Sequence, residues 1–243
     1  MHPGAGAVNL TRRIGRGRLG EDALELVLYG HPFSSYCQKA LVALDELGLS
    51  FVFRILGSPD DPDADAEFAA LWPIRRMPVL VDDGRTVVES SVIIEHLSLR
   101  AAGPGRLLPD DPVAALEARK MDRFFDNYVM APMQKIVLDH LRPEDARDPY
   151  GVAEARRTLD AAYAWLDGIM ADRAWAAGAA FGLADCAAAP ALFYADWVHP
   201  VPAEQADARA YRARLLARPS MARAVDAARP YRRHFPPGAP DRD

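Results

Sequence analysis

Cysteine is scarce in this chain of 243 residues, which contains only Cys37 and Cys186. Two cysteines so far apart cannot supply the disulfide framework that stabilises small secreted proteins. Their scarcity argues against that class and favours a reducing compartment. We therefore predict a cytoplasmic protein.

The chain also lacks an excess of positive charge and any long apolar run. Its formal net charge is −5, and its basic residues are scattered rather than massed in one stretch. Nucleic-acid-binding domains usually carry a basic patch, so we expect no nucleic-acid partner. Without a long apolar segment we expect neither a membrane span nor a secretory signal. Residues 1–23 are predicted to form a flexible tail.

The remaining sequence divides into two halves with different patterns. From residue 24 to about 102, short apolar runs alternate with helical periodicity in the order β-α-β-α-β-β-α. Residues 112–232 show helical spacing only, with prolines at the junctions. We predict an α/β, thioredoxin-like domain with a mixed four-stranded sheet at 24–102 and an all-helical domain at 112–232. The helices of the second domain are expected at about 113–140, 151–172, 183–197, 204–216 and 219–229, and the stretch 236–240 is expected to fray.

A helix is predicted to begin just after the first strand, with Ser34 or Ser35 at its start. The first turn of a helix offers unpaired N–H groups and the positive end of the helix dipole. An anion such as a thiolate is stabilised there, and a serine hydroxyl can donate one more hydrogen bond to it. Taken alone, either serine is equally well explained as a helix N-cap.

The residues around this helix start carry a resemblance to known families. The segment Ser34-Ser35-Tyr36-Cys37, with Ala40 three residues later, resembles the Cys-Pro-Tyr-Cys-x-x-Ala motif of glutaredoxins. Serine cannot attack a disulfide, but it can hold the thiolate of another molecule. In this respect the sequence resembles bacterial-type, serine-type glutathione transferases. The resemblance implies that Ser34, or Ser35 beside it, binds the glutathione sulfur and lowers its pKa.

Two neighbouring residues have competing explanations. Cys37 stands where the redox motif has its second cysteine, but it also begins an apolar stripe with Leu41 and Leu44, so we expect it in the core. Tyr29 ends the first strand, where some glutathione transferases carry a catalytic tyrosine. Because a serine is available, we expect Tyr29 to be structural.

A second motif surrounds the proline that enters the third predicted strand. Alone, Pro78 is an ordinary strand-starting proline. The resemblance implies that the Met77-Pro78 bond is cis and that the Met77 backbone pairs with the cysteinyl unit of glutathione like an added strand. The family often has glycine near Arg75, so the glutathione contacts next to this position are less certain.

A third motif, Glu89-Ser90, stands at a strand-to-helix junction. With Ile93 and His96 it resembles the Glu-Ser-x-x-Ile-x-x-Tyr-Leu signature of the family, with histidine in place of tyrosine. A carboxylate and a hydroxyl beside free helix N–H groups suit a ligand that carries an ammonium and a carboxylate, such as the γ-glutamyl end of glutathione. The alternative is a simple helix cap.

The helical half contributes a structural motif and a pocket wall. Gly182 and Asp185 stand where the family has a Ser/Thr-x-x-Asp capping motif, with glycine in place of the hydroxyl residue. We expect this exchange to lower the stability of the helix slightly. The second-substrate pocket is expected between the loop after the first strand and the first long helix of this half. Its candidate residues, whose aromatic members are also explained as core, are His31, Phe33, Phe124 and Tyr128.

Together the three motifs identify a resemblance to cytosolic glutathione transferases over about residues 24–230. It implies glutathione as co-substrate without a metal, conjugation to an electrophilic hydrophobic molecule, a role in detoxification, and a homodimer. Two alternatives stay open: a glutathione-dependent disulfide reductase or peroxidase, and a glutathione-binding protein without turnover. The same fold hosts several such reactions, so the sequence does not specify the electrophile.

Overall fold

The structure is a computed structural model that describes residues 26–101 and 106–243. The tail predicted at 1–23 lies outside the described residues. So does 102–105, a part of the predicted junction between the two halves.

A mixed four-stranded sheet forms the first half, as the sequence predicts. Its strands lie in the order β2-β1-β3-β4, with β1 parallel to β2 and antiparallel to β3, which is antiparallel to β4. The thioredoxin-like fold class is therefore confirmed. The elements are β1 (Leu26–Gly30), α1 (Ser35–Glu46), β2 (Val52–Ile55), α2 (Ala64–Leu71), β3 (Val79–Asp82), β4 (Arg85–Val88) and α3 (Ser90–Arg100).

The side chains of β1 alternate between the two faces of the sheet, and helices cover both faces. Leu26 and Leu28 pack with the apolar sides of α1 and α3. Because side chains alternate along a strand, Tyr29 points to the opposite face, where it packs against Phe68 of α2. The Tyr29 hydroxyl donates a hydrogen bond to Glu67 (2.7 Å). Tyr29 therefore lies on the other face of the sheet from α1.

Helices make up the second half. The region 113–140, predicted as one helix, is divided by a π-helix, Phe125–Met130, which separates α4 (Pro112–Phe124) from α5 (Ala131–Asp139). Pro132 in the first turn of α5 has no N–H to continue α-helical bonding, which accounts for a wider turn before it. The α-helices are α4 (Pro112–Phe124), α5 (Ala131–Asp139), α6 (Pro149–Met170), α7 (Leu183–Val198), α8 (Ala206–Leu216) and α9 (Pro219–Ala228).

The core of the helical half surrounds α7. Fifteen consecutive residues of α7, from Leu183 to Trp197, are buried. The helix contacts α1, α4, the π-helix and α8. Its many alanines allow these neighbours to approach closely. No helix among the described residues is long and apolar enough to cross a membrane.

The start of α7 explains why glycine stands at position 182. A Cβ added there would lie 2.7 Å from the backbone oxygen of Leu107, closer than real contacts allow. Glycine has no side chain to cap the helix, so Asp185 does this alone: it accepts from the N–H groups of Gly182 and Ala176, both at 2.9 Å. Tyr211 donates a third hydrogen bond to the same carboxylate. The helix start is therefore well satisfied despite the missing hydroxyl.

The stretch 236–240, which the sequence predicts to fray, lies against the helical half. Ala239 packs against its core, and the Pro240 carbonyl accepts a hydrogen bond from Arg232 at 2.6 Å. A 3₁₀ segment spans Arg229–His234, and Phe235 after it is only 7% exposed. Beyond the prolines, Arg242 forms an ion pair with Asp196 of α7. Prolines prevent a helix here, but the aromatic and arginine side chains still hold the chain against α7.

Candidate functional site

Ser34 is the N-cap of α1 and has the more accessible of the two candidate hydroxyls. Its Oγ accepts a hydrogen bond from the Cys37 N–H at 3.4 Å. A hydroxyl that accepts in this way still has its own proton to donate. Ser35 is the first residue of the helix and is only 6% exposed. Ser34 is therefore the hydroxyl that a ligand at the helix start can reach.

The loop before α1 is held rigidly by the helical half. Gln38 of α1 donates to the Pro32 carbonyl (3.1 Å) and to the Tyr194 hydroxyl (3.0 Å). Tyr194 of α7 in turn donates to the Phe33 carbonyl at 3.1 Å. These bonds fix the backbone that presents Ser34.

Cys37 lies in the core, as its apolar stripe predicts. It has no exposed surface, and its Sγ accepts a hydrogen bond from the His31 N–H at 3.4 Å. Burial raises the pKa of the Cys37 thiol to about 11, so it is protonated at neutral pH. A buried, protonated thiol is a poor nucleophile.

The bond between Met77 and Pro78 is cis, as the resemblance implies. The β3 ladder begins one residue later, at Val79, which pairs with Tyr29 and Val88. Met77 is half-buried and lies outside that ladder. Its backbone therefore lies just before β3 and takes no part in the strand pairing.

Arg75 precedes this bond and adopts a conformation that favours glycine. Its φ is +56°, in the left-handed region that carries a cost for side chains with a Cβ. The glycine that the family often has near this position fits the same backbone. The arginine here keeps the turn but adds an exposed cationic side chain next to Met77.

Glu89 and Ser90 lie at the start of α3 in an unusual backbone conformation. Glu89 has φ +68° and ψ +115°, and its side chain is exposed. Its carbonyl accepts the first helical hydrogen bond, from Ile93 at 2.8 Å. Ser90 follows as the first helical residue and is 7% exposed. The strained residue thus places a free carboxylate directly at a helix N-terminus.

The helices α1 and α3, which begin at Ser34 and Glu89, pack against each other. Tyr36, in the first turn of α1, has its pKa raised to about 12, first by burial and then by Asp126 and Glu89 nearby. Farther along, Lys39 of α1 contacts Ser91 of α3, with 2.8 Å between Nζ and Oγ. Two positive helix ends with a serine at one and a carboxylate at the other can bind an extended ligand with two anionic groups and one cation.

The C-terminal segment packs against the loop before α1, which the sequence pattern does not predict. Tyr231 packs edge-on against His31, with 4.4 Å between ring centroids. Phe235 packs against Phe33 and against Trp197. Nothing in the pattern of 229–235 distinguishes these aromatics from a solvated tail, since their partners lie near the other end of the chain.

His31, which packs against Tyr231, accepts a hydrogen bond through its ring. Its Nδ1 accepts a hydrogen bond from the Phe33 N–H at 3.1 Å. Burial lowers the pKa of His31, and the neighbouring His234 lowers it further. The ring is therefore more weakly basic than a solvated histidine.

Phe124 and Tyr128 do not line the same surface as His31 and Phe33. They line a separate cavity of about 520 Å³ between α4 and α6, together with Trp165; neither His31 nor Phe33 belongs to its lining. Helix geometry explains the separation. Asp122 and Asp126 face α1, and side chains two residues away on a helix point to the other side.

Comparisons with known families assign both halves of the chain. The profile described as "Glutathione S-transferase, N-terminal domain" matches residues 28–105. The profile described as "Glutathione S-transferase, C-terminal domain" matches residues 149–224.

Individual relatives are similar over most of the chain. Glutathione S-transferase GstB of Escherichia coli is 29% identical over 171 residues, which are 69% of this chain and 82% of the relative. FtsZ-localized protein A of Caulobacter vibrioides is 30% identical over 193 residues, 74% of this chain and 81% of the relative.

A solved structure shares the fold. The glutathione S-transferase of Methylobacterium radiotolerans, crystallised with glutathione sulfonate, superposes with a TM-score of 0.70 at 28% identity. The match covers 83% of this chain and 94% of that protein.

The strain at Glu89 leads to a prediction about stability. Glu89→Gly is expected to be more stable than Glu89→Ala by about 1 kcal/mol, because only glycine adopts this φ without cost. Urea denaturation of both variants measures the difference in the free energy of unfolding. At an ordinary position glycine is less stable than alanine, so the usual order at Glu89 would show that the backbone is unstrained.

Proposed function

Because this chain belongs to the glutathione S-transferase family, we propose that it binds glutathione between the N-termini of α1 and α3 and transfers its thiolate to an electrophile. The observation that carries the proposal is that the two helices which begin at Ser34 and Glu89 pack together, with Lys39 of α1 2.8 Å from Ser91 of α3. The electrophile is an apolar small molecule, and the physiological role is detoxification.

The γ-glutamyl and cysteinyl units of the tripeptide have proposed partners. The cysteinyl unit pairs with the Met77 backbone beside β3. The γ-glutamyl carboxylate receives hydrogen bonds from Ser90 and the first N–H groups of α3, and the Glu89 carboxylate holds the ammonium. The sulfur then lies at the start of α1, where Ser34 donates a hydrogen bond to it, with Ser35 as the buried alternative.

This arrangement lowers the pKa of the bound thiol. The helix dipole and the Ser34 hydroxyl both stabilise the thiolate, so a larger fraction of bound glutathione is ionised at neutral pH. The sulfur lone pair forms a bond to the electrophilic carbon, and the leaving group departs with its electron pair. The enzyme supplies thiolate and position rather than a covalent nucleophile.

The burial of Cys37 favours this reaction over chemistry at an enzyme thiol. A reductase that used Cys37 would need an accessible thiolate, and this side chain is fully buried with a pKa of about 11. Reduction of a disulfide or peroxide would therefore have to proceed through the bound glutathione itself. Both cysteines are free and buried, which supports the prediction of a reducing, cytoplasmic location.

A binding function without turnover is the second candidate. It is favoured by the similarity to FtsZ-localized protein A, whose name describes localisation rather than catalysis. Glutathione binding without activity against a broad panel of electrophiles would support it. The half-buried Ser34 at the helix start, with a hydroxyl proton free to donate, supports the transferase instead.

The proposed contact surface for the electrophile is an aromatic wall before the N-terminus of α1. It consists of His31 and Phe33, which precede Ser34 in sequence, and Tyr231, which packs on His31. The cavity lined by Phe124 and Tyr128 is less suited to this role, since its lining includes no residue of the α1 loop.

We also propose that two copies of the chain associate. Large apolar side chains are exposed on neighbouring α3 and α4: Leu99 is 75% exposed, Val113 77% and Leu116 67%. Leu99 lies with Ala115 in one groove between these helices. A second copy is the proposed occupant, because the exposed side chains are apolar and homo-oligomers are the common assembly.

Titration with reduced glutathione tests the binding site. We expect saturable binding to the wild type and none to Glu89→Ala, because the ammonium loses its counter-ion. Calorimetry measures both. A wild type that does not bind glutathione would overturn the proposed function.

The two serines are separated by the ionisation of the bound thiol. Ser34→Ala should bind glutathione nearly as well but raise the pKa of the bound thiol by about 1–2 units, because one hydrogen bond to the thiolate is lost. Thiolate absorbance in the ultraviolet, recorded against pH, measures this. Ser35→Ala is the matched control, and a shift in that variant alone would move the role to Ser35.

The C-terminal wall is tested with Tyr231→Ala. We expect unchanged affinity for glutathione but a several-fold higher KM for aromatic electrophiles, since the variant removes only the proposed second-substrate contact. Tyr150→Ala, which removes an exposed tyrosine at the start of α6, is the control. Equal KM values in the two variants would exclude Tyr231 from the pocket.

Association is tested with Leu99→Glu and Leu116→Glu in one variant. We expect the wild type to sediment as a dimer and this variant as a monomer, because two buried carboxylates oppose the interface. Leu141→Glu, which changes an exposed leucine beyond α5, should remain dimeric. A monomeric wild type would contradict the proposal.

A further inference from the structure

Lys39 is fully buried, which is rare for a lysine, and its ammonium is surrounded by polar partners. It donates hydrogen bonds to Asp126 Oδ2 (2.9 Å) and Ser91 Oγ (2.8 Å). It also forms an ion pair with Asp122, with 2.6 Å between Nζ and Oδ1. These partners come from α4, the π-helix and α3, so the ammonium of α1 stands where all these elements meet.

The surrounding charges balance. Arg123 lies 2.6 Å from both Asp122 and Asp126 and also bonds to Ser91, which makes two cations for two carboxylates. Burial raises the pKa of Asp126, while Lys39 lowers it. Well-packed apolar residues often stabilise a protein as much as such a buried ion cluster does. Stability alone is therefore a weak reason for the cluster.

Its position suggests another reason. Lys39 lies one helical turn after Ser35, on the helix that is proposed to hold the glutathione sulfur. Ser91 directly follows Glu89 and Ser90, on the helix that is proposed to hold the γ-glutamyl end. One ammonium thus connects the two halves of the proposed site.

We propose that Lys39, through Ser91 and Asp126, is a positioning residue that sets the spacing between the N-termini of α1 and α3. The inference rests on the proposed function. A ligand that contacts both helix ends needs them at one separation, and a misplacement of about 1 Å is enough to weaken binding strongly. The Nζ–Oγ contact is the direct bond between the two helices at this point.

Ser91→Ala tests this with the least disturbance, because Lys39 keeps both aspartates. We expect the Kd for reduced glutathione, measured by calorimetry, to rise roughly fivefold to tenfold. The midpoint of thermal unfolding should fall as well, because a buried ammonium loses one acceptor. Ser91→Thr keeps the hydroxyl and should restore wild-type affinity. Rescue by threonine distinguishes a lost hydrogen bond from a general loosening of α3.

Ser98→Ala is the matched control. Ser98 is also a serine of α3, it is 2% exposed, and its Oγ bonds to no group among the described residues. It should bind glutathione like the wild type. Equal affinity in Ser91→Ala and Ser98→Ala, while the wild type binds, would overturn the positioning role alone. A wild type that does not bind glutathione would overturn the proposed function and this inference with it.

Discussion

The burial of α1 between the sheet and the helical half is the constraint on which the rest of the structure depends. Leu41 and Leu44 pack on the sheet with α3, whereas Val42 and Ala43 belong to the core around α7. A helix packed on two sides has little freedom to shift or rotate. The position of Ser34 at its N-terminus is consequently determined by both cores together, and not by the loop that precedes it.

The polar side chains that this helix buries tie it to its neighbours. The Gln38 side-chain amide N–H₂ donates to the loop backbone and to Tyr194 of α7. Lys39 donates to Asp126 and Ser91 and forms an ion pair with Asp122. The polar residues of α1 therefore fix its orientation against the loop, α3, α4 and α7, while its apolar residues supply most of the packing energy.

Local patterns predicted the elements and the three motifs, because these depend on neighbours in sequence. The apolar period of α1 is an example, since Cys37, Leu41 and Leu44 are all buried as their spacing predicts. Features that depend on distant partners were not predictable. The π-helix after Phe124 and the packing of Phe235 on Phe33 arise from contacts with other segments. The orientation of Phe124 towards α6 was likewise not predictable, because it depends on where α1 packs against α4.

Two of the costly backbone conformations fall at the proposed glutathione site. Among the described non-glycine residues, three have positive φ, and Asp83 is explained by its hairpin turn. The other two are Arg75, two residues before Met77, and Glu89, at the start of α3. The fully buried Lys39 lies between α1 and α3, the two helices of the same proposed site. A sequence free to optimise stability alone would remove such costs with single substitutions. Their occurrence at one proposed site is the pattern expected where binding geometry, rather than stability, constrains the residues.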